Sequence, residues 1–146
     1  MTKGFRESLV GAWKLQEYSI PDKEHPGEKF YPLGKEATGF ILYTPDGYVS
    51  AQIMAQGRPA YASGRLHTGT TEEMAQAAKG YMAYSGKYEV DEETHTLTHH
   101  MGVSMNPTWL GQAQQRYAKM EGDTITITAP ANNAVLIWKR AENNTK

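Results

Sequence analysis

A hairpin is predicted by the stretch Thr38-Gly-Phe-Ile-Leu-Tyr43, Thr44-Pro-Asp-Gly47, Tyr48-Val-Ser-Ala-Gln-Ile-Met54. In the central tetrapeptide, proline presets φ at the second turn position and glycine accepts a positive φ. The flanking runs are short and apolar, as paired strands are. This hairpin indicates a β fold, because comparable runs recur on both sides of it.

Further strands are predicted before and after the hairpin. The first covers Leu9 to Ile20, and the later ones are Tyr84–Val90, His95–Val103, Gln114–Met120, Thr124–Thr128 and Ala134–Arg140. Polar and apolar residues alternate strictly in Thr124-Ile-Thr-Ile-Thr128, which is typical of a half-buried strand. Many short strands joined by hairpins indicate a closed antiparallel barrel or a sandwich, and composition alone does not choose between them.

A long connection separates the hairpin from the later strands. Residues 56–70 are rich in Gly, Pro, Ala and Ser, and a helix is predicted over residues 71–82. Thr70 and Glu73 have the spacing of a capping box at its start. The helix could cover the barrel mouth as a lid or pack on the barrel wall, and both placements stay open.

Length, composition and charge exclude several classes of protein. The 146 residues fit one domain, and the net charge of -1 argues against nucleic-acid binding or attachment to an anionic membrane. Without cysteine, the chain has no disulfide, cysteine zinc site or thiolate nucleophile. No apolar stretch approaches the roughly 20 residues of a bilayer span, and no secretory signal is recognisable, so we expect a cytoplasmic protein.

Several motifs resemble a known family. The two ends, Leu9-Val-Gly-Ala-Trp13 and Leu136-Ile-Trp-Lys-Arg140, resemble the ends of a calycin barrel. Between them, Tyr43-Thr-Pro-Asp-Gly-Tyr-Val-Ser-Ala-Gln52 and Tyr84-Ser-Gly-Lys-Tyr-Glu-Val90 resemble the bacterial and fungal lipocalin-like domain family. The resemblance covers residues 9–140 of a single domain, 1–146.

This resemblance implies an all-β fold: a closed antiparallel lipocalin-like barrel of about eight to ten strands, with one helix in the connection after the third major strand. It also implies that Trp13 and Arg140 meet at the closed end of the barrel. A guanidinium can stack on an indole while its N–H groups bind carbonyls. We therefore expect this pair to close the barrel structurally and not to act in catalysis.

Strand alternation predicts which side chains face the interior of such a barrel. The candidate ligand-binding residues are Arg116, Gln114, His99, Tyr43, Ser50, Gln52, Tyr84, Tyr88 and Met101. Ser50 and Gln52 belong to this set in one of two facings of their strand, since Val49, Ala51 and Ile53 form the alternative inward set. Tyr43 lies on a strand that is apolar on both faces, so its facing is unassigned. Val103 is expected to share the inward face of His99.

This interior suits one kind of ligand. Tyrosine, methionine and aliphatic side chains with a few convergent polar groups favour a small, mainly hydrophobic or aromatic metabolite bearing a carbonyl or carboxylate. No acidic residue shares the face of Arg116, so a ligand carboxylate, backbone carbonyls, tyrosine hydroxyls or water could pair with it. Intracellular binding of such a metabolite is the first hypothesis.

The alternative is a cofactor-independent isomerase, cyclase or dehydratase acting on a polyketide- or terpenoid-like substrate. His99 is its candidate general acid/base and Arg116 its candidate oxyanion stabiliser. A third interpretation is an interaction module with a filled barrel. Genes of secondary metabolism are the expected context for the first two.

Neither a metal nor a cofactor is expected. His99 and His100 are adjacent on a strand and point to opposite faces, while His95 and His99 lie about 13 Å apart along an extended chain. The glycines lack the spacing of a phosphate or dinucleotide site. The expected partner is a small molecule, with no nucleic acid and no membrane, and a homodimer stays open.

Overall fold

The computed structural model describes residues 4–145, of which just under half lie in antiparallel strands. In chain order the elements are α1 (Phe5–Leu9), β1 (Gly11–Pro21), β2 (Lys29–Phe30), β3 (Thr38–Tyr43), β4 (Tyr48–Met54), α2 (Thr71–Lys79), β5 (Tyr81–Asp91), β6 (Thr96–His100), β7 (Val103–Ser104), a 3₁₀ turn (Pro107–Trp109), β8 (Ala113–Glu121), β9 (Thr124–Ala129) and β10 (Ala134–Arg140).

Eight long strands form a closed barrel. They follow the order β10-β9-β8-β6-β5-β4-β3-β1, and β1 pairs in turn with β10, where Trp13 lies opposite Arg140. The two-residue strands β2 and β7 pair with β1 and β5 and complete a sheet of ten strands. The predicted closed antiparallel barrel of eight to ten strands is therefore confirmed.

The helices differ in part from the prediction. Helix α2 lies after the third long strand, as expected, and its capping box is formed: Glu73 N–H donates to Thr70 Oγ1 at 3.1 Å, and Thr70 N–H to Glu73 Oε1 at 2.8 Å. It ends at Lys79 instead of residue 82, because β5 begins at Tyr81. Helix α1 and the 3₁₀ turn were not predicted, since segments this short carry no periodic signal. No described helix combines the length and apolarity of a bilayer span.

The facing of β4 is fixed by its neighbours. Val49, Ala51 and Ile53 are buried in the core. Ser50 Oγ instead accepts a hydrogen bond from Ser85 at 2.8 Å, and Gln52 Oε1 accepts one from Tyr81 at 2.6 Å, both between residues on the outer face. The facing that places Ser50 and Gln52 inside is therefore wrong: the apolar residues of the strand occupy the core, and the two polar residues form hydrogen bonds on the outer face.

Val103 is also misplaced by simple alternation. It is 64% exposed, whereas Met101, two residues earlier, is buried. Strands β6 and β7 both pair with β5, but their register shifts by one residue between the pairs Tyr88–His99 and Ser85–Val103. This shift breaks the alternation between the two strands, so the inward facing of His99 does not extend to Val103.

One end of the barrel is closed by α1. Leu9 is fully buried there, and Trp13 Nε1 donates to its carbonyl at 2.9 Å. The Arg140 guanidinium carbon lies 4.1 Å from the Trp13 ring centre, and its N–H groups donate to the carbonyls of Val10, at 3.1 Å, and Ser8. Because these contacts tie the helix and both end strands together, access to the interior is from the opposite end.

Candidate functional site

A cavity of about 640 Å³ occupies the open half of the barrel. Its wall is largely aromatic and aliphatic, with Tyr18, Tyr84, Trp109, Trp138, Ile53 and Leu136 among its residues. Segments 112–116 and 130–132 also contribute to the lining. This volume falls within the range of small-molecule sites, so the barrel is not filled.

The predicted ligand residues divide into three groups. His99, Tyr84, Gln114 and Arg116 line the cavity. Tyr43, Tyr88 and Met101 are buried but belong to the packed core and do not line it. Ser50 and Gln52 lie on the outer face. Tyr88 and Met101 thus face inward as expected, and Tyr43, whose facing the sequence does not assign, faces inward as well. None of the three lines the cavity, because side chains fill the closed half of the barrel.

His99 lies between two tyrosine hydroxyls. Its Nε2 is 2.9 Å from Tyr43 Oη, and its Nδ1 is 2.8 Å from Tyr84 Oη. The ring is 1% exposed, and burial, with smaller contributions from Arg116 and His100, lowers its pKa to about 3. Burial also raises the pKa of Tyr84 to about 12 and that of Tyr43 well above its ordinary value. At neutral pH all three side chains are therefore uncharged.

Arg116 is the cation of the cavity wall. Its Nη1 donates to the Gln115 carbonyl at 2.9 Å and its Nη2 to Gln114 Oε1 at 2.5 Å. Gln114 Nε2 donates in turn to Gln112 Oε1 at 2.9 Å. Within residues 4–145 Arg116 forms no salt bridge. The side chain is oriented by neutral acceptors, and no described carboxylate pairs with its positive charge.

Three aromatic residues of the wall were not among the candidates. Tyr18 follows a bulge in β1 between Leu15 and Glu17, which shifts the alternation after Trp13 and could not be located from sequence. Trp109 lies in the unpredicted 3₁₀ turn. Trp138 lies two residues after Leu136 on β10 and therefore faces the same side of the strand. This alternation is visible in the sequence and would have identified Trp138 as an inward-facing residue.

The connection with α2 does not contribute to the cavity wall. Within residues 55–80, no side chain lines the cavity, and α2 has no buried residue. The connection is held near the start of β5, where Arg58 lies 4.9 Å from the Tyr81 ring centre and donates to the Ala77 carbonyl at 3.4 Å. The lid stays a prediction, and this conformation supplies no contact for it.

A cluster of metal-ligand type lies elsewhere. Ligand atoms of Asp22, His25 and Glu28, after β1, lie within 4.8 Å of one another. Asp22 Oδ1 already accepts the N–H groups of Glu24 and His25, at 2.9 and 3.3 Å, so these residues serve the local turn. They do not line the cavity, whose described lining holds no Asp or Glu.

A closed antiparallel barrel with a ligand-sized cavity at its open end is a lipocalin-like architecture, and sequence comparison agrees. The chain belongs to the lipocalin-like domain family, whose family model matches residues 10–143. The family predicted from the motifs is therefore confirmed.

Individual proteins show limited sequence identity to this chain. The 4′-hydroxy-3′-methoxypropiophenone carrier protein ppsC of Aspergillus oryzae is 33% identical over 86 residues, which cover 55% of this chain and 78% of that protein. Among solved structures, a DUF4847 family protein from Bacteroides vulgatus ATCC 8482 aligns with a TM-score of 0.46 and 7% identity, over 93% of this chain and 96% of that one. A mutant of the fluorescent protein UnaG aligns with a TM-score of 0.37 and 16% identity, over 92% and 97%.

Proposed function

We propose that this protein binds and carries a small aromatic ketone, or a similar mainly hydrophobic metabolite with a carbonyl or carboxylate. The observation that carries the proposal is an aromatic cavity whose charged group, Arg116, has no carboxylate partner in the described chain. The lipocalin-like fold and the carrier name of the Aspergillus relative support small-molecule binding.

The wall fits both parts of such a molecule. Tyr18, Trp109 and Trp138 offer ring faces and edges to an aromatic ligand. Arg116 donates two of its five N–H groups within the protein, which leaves others for an oxygen of the ligand. A charge-assisted hydrogen bond in this partly apolar setting fixes the orientation of the ligand.

The geometry favours binding over the isomerase, cyclase or dehydratase alternative. A general acid/base needs a free ring nitrogen within reach of substrate and a pKa near the working pH. Both ring nitrogens of His99 are engaged by tyrosine hydroxyls, and its pKa of about 3 keeps it neutral. His99 is therefore better suited to organising the wall than to moving protons.

The test uses 4′-hydroxy-3′-methoxypropiophenone as a probe in calorimetric titration of the purified protein. We expect binding, and we expect Arg116→Gln to weaken it about 10- to 100-fold, the loss of one hydrogen bond to a charged group. Lys119→Gln is the matched control, because Lys119 lies on the same strand with its side chain 78% exposed. Its affinity should equal that of the wild type.

Native mass spectrometry of protein purified from its source organism covers the case of a different ligand. A small molecule that co-purifies with the wild type and is absent from the purified Arg116→Gln variant supports the proposal. Protein that carries no small molecule, and whose thermal transition the probe does not shift, would contradict it.

A further inference from the structure

The hydrogen bonds around His99 have a direction that can be worked out. A neutral imidazole has one N–H donor and one bare nitrogen that accepts. With a tyrosine hydroxyl on each nitrogen, one hydroxyl must donate to the ring and the other must accept from it. The hydrogen-bond chain Tyr43–His99–Tyr84 can thus run in either of two directions. The directions differ in which of the two hydroxyls accepts from the ring and so has an O–H group that must find another acceptor.

Burial of Tyr43 selects between them. Tyr43 is 1% exposed, lies in the core outside the cavity wall, and has His99 Nε2 as the one partner of its hydroxyl among the described residues. If Tyr43 accepted from Nε2–H, its own O–H would be buried without an acceptor, which native interiors avoid. Tyr43 therefore donates to Nε2, and the imidazole proton is on Nδ1.

The spare proton then belongs to Tyr84. Nδ1–H donates to Tyr84 Oη at 2.8 Å, so the Tyr84 O–H cannot also point at the ring and needs another acceptor. Tyr84 lines the cavity, between His99 and Trp109, whose ring centre is 6.2 Å away. The cavity is thus where this acceptor is found.

A second donor without a partner borders the same cavity. Trp138 lines the wall and is 1% exposed, and its Nε1–H is buried with no hydrogen-bond partner in the described structure. Several amide oxygens of the wall, in contrast, already accept a hydrogen bond: Gln114 Oε1 from Arg116, Gln112 Oε1 from Gln114, and Asn132 Oδ1 from the Ala134 N–H. The wall therefore presents two donor groups, the Tyr84 O–H and the Trp138 Nε1–H, for which the described residues provide no acceptor.

We infer that Tyr84 is a specificity-determining residue whose hydroxyl donates to an oxygen acceptor of the ligand, with Tyr43 and His99 as the positioning residues that set its direction. The inference rests on the proposed function and narrows it: the cavity selects a ligand whose buried oxygen accepts hydrogen bonds, such as a ketone, over the same carbon skeleton without that oxygen. An amine or other donor group in this place is disfavoured.

The direction of the chain can be tested without any ligand. A long-range ¹H–¹⁵N correlation spectrum of the intact protein distinguishes the two imidazole tautomers. We expect His99 to be protonated on Nδ1 and bare on Nε2. A proton on Nε2 would overturn the inference, because Tyr84 would then donate to the ring and not to the cavity.

The selectivity is tested with two probes of nearly equal shape. One is 4′-hydroxy-3′-methoxypropiophenone, and the other is 4-propyl-2-methoxyphenol, in which a methylene replaces the ketone. Tyr84→Phe should weaken binding of the ketone about tenfold, the equivalent of about 1.4 kcal/mol, and change binding of the second probe less than twofold. Equal effects on both probes, or no effect on the ketone, would refute the role of Tyr84.

Tyr81→Phe is the matched control. It removes a hydroxyl from the same strand, but Tyr81 Oη donates to Gln52 on the outer face, so neither affinity should change. If the wild type binds neither probe, the proposed aromatic-ketone function fails, and the tautomer of His99 decides the orientation by itself. The tautomer likewise decides it if Tyr84→Phe does not fold. If the wild type binds both probes but Tyr84→Phe does not discriminate between them, the proposed function stands and this inference falls.

Discussion

The buried imidazole of His99 makes the stability of the protein depend on pH. In the native state the pKa of His99 is about 3, lowered by burial first and by the Arg116 charge second. In the unfolded chain it returns to the ordinary value near 6.5. Between these two pKa values the unfolded state binds a proton on His99 and the native state does not. The free energy of unfolding therefore falls as the pH drops from 6.5 towards 3.

The size of the effect follows from these two values. Below the unfolded pKa the loss is about 1.4 kcal/mol per pH unit. Between pH 7.5 and pH 5.0 it sums to about 2 kcal/mol, a large share of the roughly 5–15 kcal/mol that stabilises a domain. The two hydroxyls that flank the ring, those of Tyr43 and Tyr84, stay neutral over this range because burial raises their pKa values.

The assay is urea unfolding followed by tryptophan fluorescence at pH 5.0, 6.0 and 7.5. Carboxylates also titrate on acidification, so the quantity compared is the difference in unfolding free energy between the wild type and His99→Gln. We expect His99→Gln to be less stable at pH 7.5 and this difference to shrink by about 2 kcal/mol at pH 5.0.

The neighbouring histidine provides the control. The His100 side chain is 41% exposed on the outer face, 3.6 Å from Glu89, and it is the smallest of the three causes that lower the pKa of His99. His100→Gln should therefore change the pH dependence far less than His99→Gln does. A difference between wild type and His99→Gln that stays constant from pH 7.5 to 5.0 would refute the reasoning. It would mean that the native protein accommodates a proton on this ring.

Two further substitutions test the packing that surrounds the site. Gly86→Ala places a Cβ 1.8 Å from the His100 carbonyl oxygen, and we expect it to lower the free energy of unfolding by about 3 kcal/mol or more. Its control is Gly34→Ala, at a φ of +86° in open space, which should lower that free energy by about 1–2 kcal/mol. Equal losses in urea unfolding would show that the strands move apart at Gly86 to admit the methyl group. Arg140→Met removes the stacking on Trp13 and the hydrogen bonds to the carbonyls of Val10 and Ser8, so we expect the free energy of unfolding to fall by about 2–3 kcal/mol. Lys139 is exposed, and Lys139→Met should leave that free energy nearly unchanged. Similar thermal transitions for both variants would argue against the role of Arg140 in closing the barrel.

The fold could be predicted because it depends on local patterns that repeat. Turn residues such as Pro45 and Gly47, and the alternation in Thr124–Thr128, each specify a strand or a turn within a few residues. The capping residues Thr70 and Glu73 likewise located the start of α2 from four positions of sequence. These signals are strong because the physics behind them acts between near neighbours.

The site could be predicted only in part, because alternation gives the facing of a side chain but not its depth. Tyr88 faces inward as expected, yet its hydroxyl donates to the Thr44 carbonyl in the β3–β4 turn at 2.7 Å, away from the cavity. Tyr84 faces the same way and reaches the cavity. What separates the two is the height of each residue in the barrel, which depends on the closing helix α1 and on strand register.

Direction is a further property that no pattern of residues contains. Sequence places two tyrosines and a histidine on inward faces, but whether Tyr84 offers a proton or an oxygen to a ligand depends on how deeply Tyr43 is buried. That burial comes from packing against residues distant in sequence, including the Tyr88 ring at 5.0 Å. A ligand therefore meets a hydrogen-bond donor at Tyr84 because the Tyr43 hydroxyl, buried in the filled half of the barrel, has no acceptor for its proton among the described residues other than His99.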